Sequence, residues 1–322
     1  METGLLIIQL FILAACIGLW ALRLYQRRTS GTLLETRTQQ VSPLGILDIG
    51  VVAVFWLALQ MVFMAILPFA MGLGIEQLKN PMDLPADQLQ EFSGWLMLSQ
   101  LAATFLGMAF LLIRHQRVQW LELRTSIGDN LLVGIAATLM LIPIVMLIQM
   151  AATTYVEYKH PTIDSLIENF NGRTAMWAWI SAVGIAPLIE EFFFRGVIQG
   201  WLQRCFDHDE SKETWFMGGV VTANAHSDTN PTLQLLRFWA PILITSVLFA
   251  MMHLGQGPAP IPLFFLSLGI GYVFRKTGSF VPCVIIHFML NFISMAVLTL
   301  SILYPELVPP QVEPEPAMIF VW

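Results

Sequence analysis

Three short stretches carry side chains able to do hydrolytic chemistry. APLIEEFFFRGVIQG holds Glu190, Glu191 and Arg195, VLFAMMHLGQG holds His253, and CVIIHFMLNF holds His287 and Asn291. Each polar group is embedded in apolar sequence, where an ionisable residue is costly and by default marks a site. Glu191 and Arg195 are four residues apart, so they share a helical face and can pair. Pairing offsets part of the cost of burial, and alone it reads as a structural ion pair. Glu190 lies about 100° further round the helix, too far to share Arg195 easily, which leaves a carboxyl for acid–base work. His287 and Asn291 are also four apart. An imidazole beside an amide can donate two hydrogen bonds to a developing oxyanion, or the pair can tie two helices together. His253 taken singly reads as a satisfied core histidine.

Jointly these residues form a hydrolytic set. Glu190 with a histidine can activate a water, while His287 and Asn291 hold the tetrahedral intermediate. The same Glu190, His253 and His287 could instead hold zinc with a water in the fourth place. Residue types do not separate the two, although no HExxH occurs. Two non-proteolytic readings stand beside them. Intramembrane Glu, His and Arg also build ion paths, which fits a proton-coupled transporter, but no internal repeat of the kind many carriers have is visible. A non-enzymatic membrane scaffold or immunity protein would tolerate loss of Glu190, His253 or His287.

The elements that position these groups follow from composition. The chain has 322 residues, of which 56% are hydrophobic and 12% charged. Ordinary soluble domains carry about 25% charged residues. With a mean hydropathy of +0.69, the expected fold is an all-α, polytopic transmembrane helical bundle around an intramembrane polar active-site cavity. A net charge of −6 gives no general attraction to phosphate backbones, so a nucleic-acid partner is excluded. Three cysteines without a CxxC argue against a disulfide framework or a cysteine zinc site.

Windows free of Asp, Glu, Lys and Arg run over 3–22, 49–75, 92–113, 130–156 and 277–305. The window 238–274 is broken by Gly255, Gly257, Pro258, Pro260 and Pro262 into two helices, the second about 263–274. The span 175–203 is apolar apart from Glu190, Glu191 and Arg195. That makes about eight spans. The first lacks a basic n-region and reads as a retained helix rather than a cleaved signal. The expected organisation is four spans and loops over 1–174, a motif-bearing core of four spans over 175–304, and an extended tail over 305–322. Within the core, 205–239 reads as a long polar, mobile loop carrying His208 and His226. Twelve of the 16 Lys and Arg fall in one set of loops, three in the other, and Arg195 inside a span. The positive-inside rule then puts both termini outside the cytoplasm and Arg195 on the cytoplasmic side of Glu190.

Glu190-Glu191-x-x-x-Arg195, Phe249-x-x-x-His253 and His287-x-x-x-Asn291, in this order, resemble the signature of the CPBP intramembrane proteases. That family includes the type II CAAX prenyl endopeptidases and the bacteriocin-processing and self-immunity proteins. The resemblance covers about 175–300 and leaves the first four spans unmatched. It implies an intramembrane endopeptidase with a conical cavity open to the cytoplasm and side access from lipid. Its peptide or protein substrate would be cut near the membrane surface, beside a lipidated, CAAX-like or hydrophobic C-terminus. By the same resemblance Glu190 and His253 activate water, His287 and Asn291 form the oxyanion site, and Glu191 and Arg195 support it. Arg195 would also be placed to meet a substrate carboxylate. Zinc held by Glu190, His253 and His287 and a metal-free glutamate mechanism are both compatible with it. The expected home is a bacterial inner membrane. Oligomeric state and substrate identity are not legible.

Overall fold

The computed structural model describes residues 2–30, 33–37, 41–74, 84–115, 127–156, 161–168, 170–208, 212–219 and 230–305. Among them the structure is helical with no strand. We number the helices α1 Glu2–Ser30, α2 Ile46–Ala70, α3 Ala86–His115, α4 Ile127–Thr153 and α5 Pro161–Glu168. Then follow α6 Gly172–Asp207, α7 Lys212–Met217, α8 Pro231–Met251, α9 Pro260–Thr277 and α10 Phe280–Leu303. Apolar chain adopts helix in lipid because every backbone group must find its partner internally. Six helices (α2, α3, α4, α6, α8 and α10) are long and apolar enough to cross a membrane. α1, with 29 residues, and α9, with 18, complete the eight long helices among the described residues, close to the eight expected spans. The chain is an integral, multi-pass membrane protein. The second half of the broken window is longer than the 263–274 read from sequence, because Pro260 starts a helix without giving up an intrahelical bond.

α6 carries the Glu-Glu-Arg motif and is the most enclosed of the candidate spans, with 50% of its apolar window buried against 11% for α2. Asn171 caps it. The Asn171 side-chain oxygen accepts from the backbone N–H groups of Arg173 and Thr174 at 3.0 Å each, and Thr174 Oγ1 accepts from the Asn171 N–H at 2.7 Å. Two π-helical stretches, Ile180–Ile185 and Phe192–Gln199, flank the α-helical Ala186–Glu191. Such insertions often occur at functional sites. α4 packs against α1, α9 and α10, and α8 against α9. The main core gathers Val145 from α4, Phe194 from α6, Phe249 from α8, Leu263 and Ile270 from α9, and Ile286 and Leu290 from α10.

α8 ends at Met251, so His253 lies in the turn after it rather than inside a helix. Gly255 (φ +97) and Gly257 (φ +58) carry that turn through backbone conformations that side chains disfavour.

The segment expected to be a loop over 205–239 is shorter and partly anchored. α8 already begins at Pro231, and α7 docks beside α2. Arg204 is 1% exposed and donates to the carbonyls of Ser42 (3.3 Å), Leu44 (3.3 Å) and Gly219 (3.0 Å). The Gly219 N–H donates to the Pro43 carbonyl at 2.7 Å. Residues 209–211 and 220–229 of this loop, including His226, and the tail 306–322 lie outside the described residues. A Cβ on Gly45 would stand 2.7 Å from the Met217 carbonyl carbon and closer still to other backbone of 216–218. Gly45→Ala should therefore destabilise by about 1–3 kcal/mol. A lower melting temperature together with faster amide exchange over 212–219 would check this; unchanged exchange there would contradict the docking.

Cations gather at one end of the bundle. Arg114 reaches Asp48 and the Met217 carbonyl, Arg275 forks onto Asp207, and the Arg37 N–H meets the Lys276 carbonyl at 2.9 Å. At the opposite end Arg173 pairs with Glu91 at 2.9 Å.

Candidate active site

Glu191, Arg195 and His287 form one buried chain, each 0% exposed. Arg195 Nε donates to Glu191 Oε2 at 3.0 Å. The other Glu191 oxygen, Oε1, lies 2.9 Å from His287 Nδ1. A carboxylate in an ion pair with arginine accepts, so Nδ1 carries the proton and Nε2 of the neutral ring is the acceptor. Nε2 is 4.0 Å from Glu190 Oε2. Glu191 thus does two things: it neutralises Arg195 and fixes the orientation and tautomer of His287.

Arg195 is further held by donation to Gln199 Oε1 (3.1 Å) and Ser267 Oγ (2.7 Å). Gln199 in turn donates to the Gly271 carbonyl at 2.9 Å. A guanidinium this enclosed is a tie between α6 and α9. Its three recorded side-chain partners, Glu191, Gln199 and Ser267, all lie on these two helices. Gln199 was legible as the next member of a four-residue ladder through 191, 195 and 199. Ser267, a single serine in an apolar stretch, carried no signal.

Glu190 is the accessible member of the acidic pair, with a side chain 20% exposed against 0% for Glu191. Its Oε2 is buried and makes no hydrogen bond among the described residues. His253 is 6% exposed, and its Nδ1 lies 2.7 Å from the Phe249 carbonyl. A carbonyl can only accept, which puts the proton on Nδ1 and the acceptor on Nε2. The Phe249 ring stands 5.0 Å from the His253 ring, 5.9 Å from that of His287 and 5.0 Å from Phe194. Phe249, quoted in the motif only for its spacing, is the wedge that sets the two imidazoles relative to each other.

Asn291 is 0% exposed, and its Nδ2 donates to the Ala182 carbonyl at 2.8 Å. This bond ties α10 to the first π-helical stretch of α6, the helix-binding alternative for this side chain. Among the described residues no group of three His, Cys, Asp or Glu side chains converges as a metal site.

Two helices, α6 and α10, and the turn after α8 together bring one accessible carboxylate, two oriented imidazoles and a neutralised buried ion pair to one place in the bundle. That arrangement can take a proton from water and give it back to a leaving group. Residues 172–293 match the family model described as Type II CAAX prenyl endopeptidase Rce1-like, which agrees with the resemblance carried by the three motifs. No curated protein and no solved structure matches the chain.

Proposed function

Since residues 172–293 form an Rce1-like domain, we propose that this chain is an intramembrane endopeptidase with Glu190 as its general base. The carrying observation is the pair Glu190 Oε2 and His287 Nε2, 4.0 Å apart. Two hydrogen bonds of about 2.8 Å meeting near a right angle at one water span about that distance. A water there is held by both groups. Glu190 takes its proton as the oxygen adds to the scissile carbonyl carbon. The proton then passes to the amide nitrogen, the C–N bond breaks, and a carboxylate and an amine leave. His287 orients the water by accepting a hydrogen bond from its second O–H at Nε2. His253, fixed through Phe249, presents a second acceptor. Glu191, Arg195 and Asn291 are positioning residues, with Asn291 acting through its hold on Ala182 rather than as an oxyanion donor. No metal takes part in this scheme.

The family description supports a substrate class as part of this proposal: a peptide or protein cut near its prenylated or hydrophobic C-terminus, close to the membrane surface. The positive-inside pattern supports a site open to the cytoplasm, and a bacterial inner membrane fits it. The test is cleavage by the purified full chain in detergent, with prenylated and unprenylated C-terminal peptides and products read by mass spectrometry. We expect one cut close to the prenylated cysteine, unchanged by a zinc chelator. Loss of cleavage with chelator and its return with zinc would overturn the metal-free scheme. Uptake into proteoliposomes without any cleaved product would favour a carrier.

A further inference from the structure

A second site lies away from the catalytic cluster. A cavity of about 540 Å³ opens between α1, α4, α8 and α9 at the cation-rich end of the bundle. That volume is in the range of small-molecule sites. Arg23, Arg27 and Lys276 line its mouth. Arg23 Nη1 donates to Gln26 Oε1 at 3.2 Å. The Lys276 ammonium donates to Thr36 Oγ1 at 3.0 Å and lies 5.2 Å from the centre of the Phe238 ring. Among the described residues none of the three cations meets a carboxylate. Deeper in, the walls are apolar: Trp20, whose Nε1 is satisfied by the Met140 carbonyl at 3.1 Å, and the face of α4 from Val133 to Leu141. That face runs about 12 Å along the helix. Trp239 and Tyr272 stack at 5.9 Å and close one side.

We infer that this cavity binds an anionic phospholipid, its phosphoryl headgroup on Arg23, Arg27 and Lys276 and the start of an acyl chain along the α4 face. Arginine suits phosphate because its planar fork donates two parallel hydrogen bonds. Aromatic side chains with one polar end suit the headgroup level of a bilayer. Basic pockets between transmembrane helices are where such headgroups are recognised. A soluble phosphate would satisfy the mouth and leave the apolar walls in contact with water, so the lipid fits the whole cavity better. The inference does not depend on the proteolytic reading, because none of the catalytic candidates lines the cavity.

The experiment is native mass spectrometry of the delipidated full chain in detergent, titrated with phosphatidylglycerol or with phosphatidylcholine of the same acyl chains. One molecule of phosphatidylglycerol should bind at least about tenfold more tightly, a preference of about 1.4 kcal/mol. Arg23→Gln with Arg27→Gln should remove that preference. Arg28→Gln, exposed on the same helix and outside the cavity lining, should keep it. Ala136→Trp should fill the cavity and lose the bound lipid without changing any charge, which keeps the idea testable if the double variant does not fold. Equal binding of both lipids, or equal loss in Arg28→Gln, overturns the site. Displacement by millimolar inorganic phosphate or by a prenylated peptide overturns the assignment to a lipid.

Discussion

Glu190→Gln should lower kcat/KM for peptide cleavage by roughly 10²–10⁴-fold, the usual worth of a positioned general base, and leave the melting temperature nearly unchanged. The two halves of this expectation have separate causes. Gln keeps the shape of the side chain but cannot accept the proton from water. The Glu190 side chain is part-exposed, and its Oε2 makes no hydrogen bond among the described residues. The substitution therefore removes the base without breaking an observed bond. Kinetics by mass spectrometry and a thermal melt in detergent read the two halves independently. A folded Glu190→Gln protein that still cuts at the wild-type rate would remove Glu190 from the role of base.

Arg195→Met should have the largest effect on stability. It leaves Glu191, at 0% exposure, as a buried charge without its guanidinium, a change that costs about 3–5 kcal/mol. It also removes the donor to Ser267, which joins α6 to α9, and the donor to Gln199 within α6. The companion variant is Glu191→Leu with Arg195→Met. With both charges gone no unpaired ion remains, so much of the lost stability should return. Activity should stay low, because the His287 Nδ1 then lacks the carboxylate that orients it. A single variant that melts like the wild type would show the ion pair to be dispensable. A double variant with normal cleavage would show that His287 needs no such partner.

What could be read along the chain was what repeats along the chain. The i,i+4 pair Glu191–Arg195, the apolar windows and the Gly- and Pro-rich break after His253 all depend on local spacing. Each has a counterpart in the structure. Contacts across helices were a different matter. Nothing in the spacing of Glu191 and His287 tells that one carboxylate oxygen goes to each of Arg195 and His287. Asn291 shares a helical face with His287, yet its Nδ2 donates to the Ala182 carbonyl, in the first π-helical stretch of α6. The two π-helical stretches had no signature either. ISAVGI and FFFRGVIQ are ordinary apolar helix sequence, and the extra residue per turn is settled by packing against the neighbours. The docking of 212–219 was missed for a similar reason: a polar, Gly-rich composition predicts mobility, whereas Arg204 supplies three carbonyls with one buried donor group.

The family match begins at residue 172, but the folding unit does not. α4, outside the matched region, covers faces of both α9 and α10. The approach to α10 is close: a Cβ on Gly134 would stand 2.8 Å from the Cβ of Ile285. Val145 and Ile142 of α4 belong to the same buried core as Phe249 and Leu290. A chain cut at 172 would open that core along one side and leave Arg204 without two of its three carbonyl partners. The inherited unit and the unit that must fold as one thus have different boundaries. The earlier helices are the wall against which the motif-bearing half is built, so variation in them is freer on the outward surface than on the surface that meets α9 and α10.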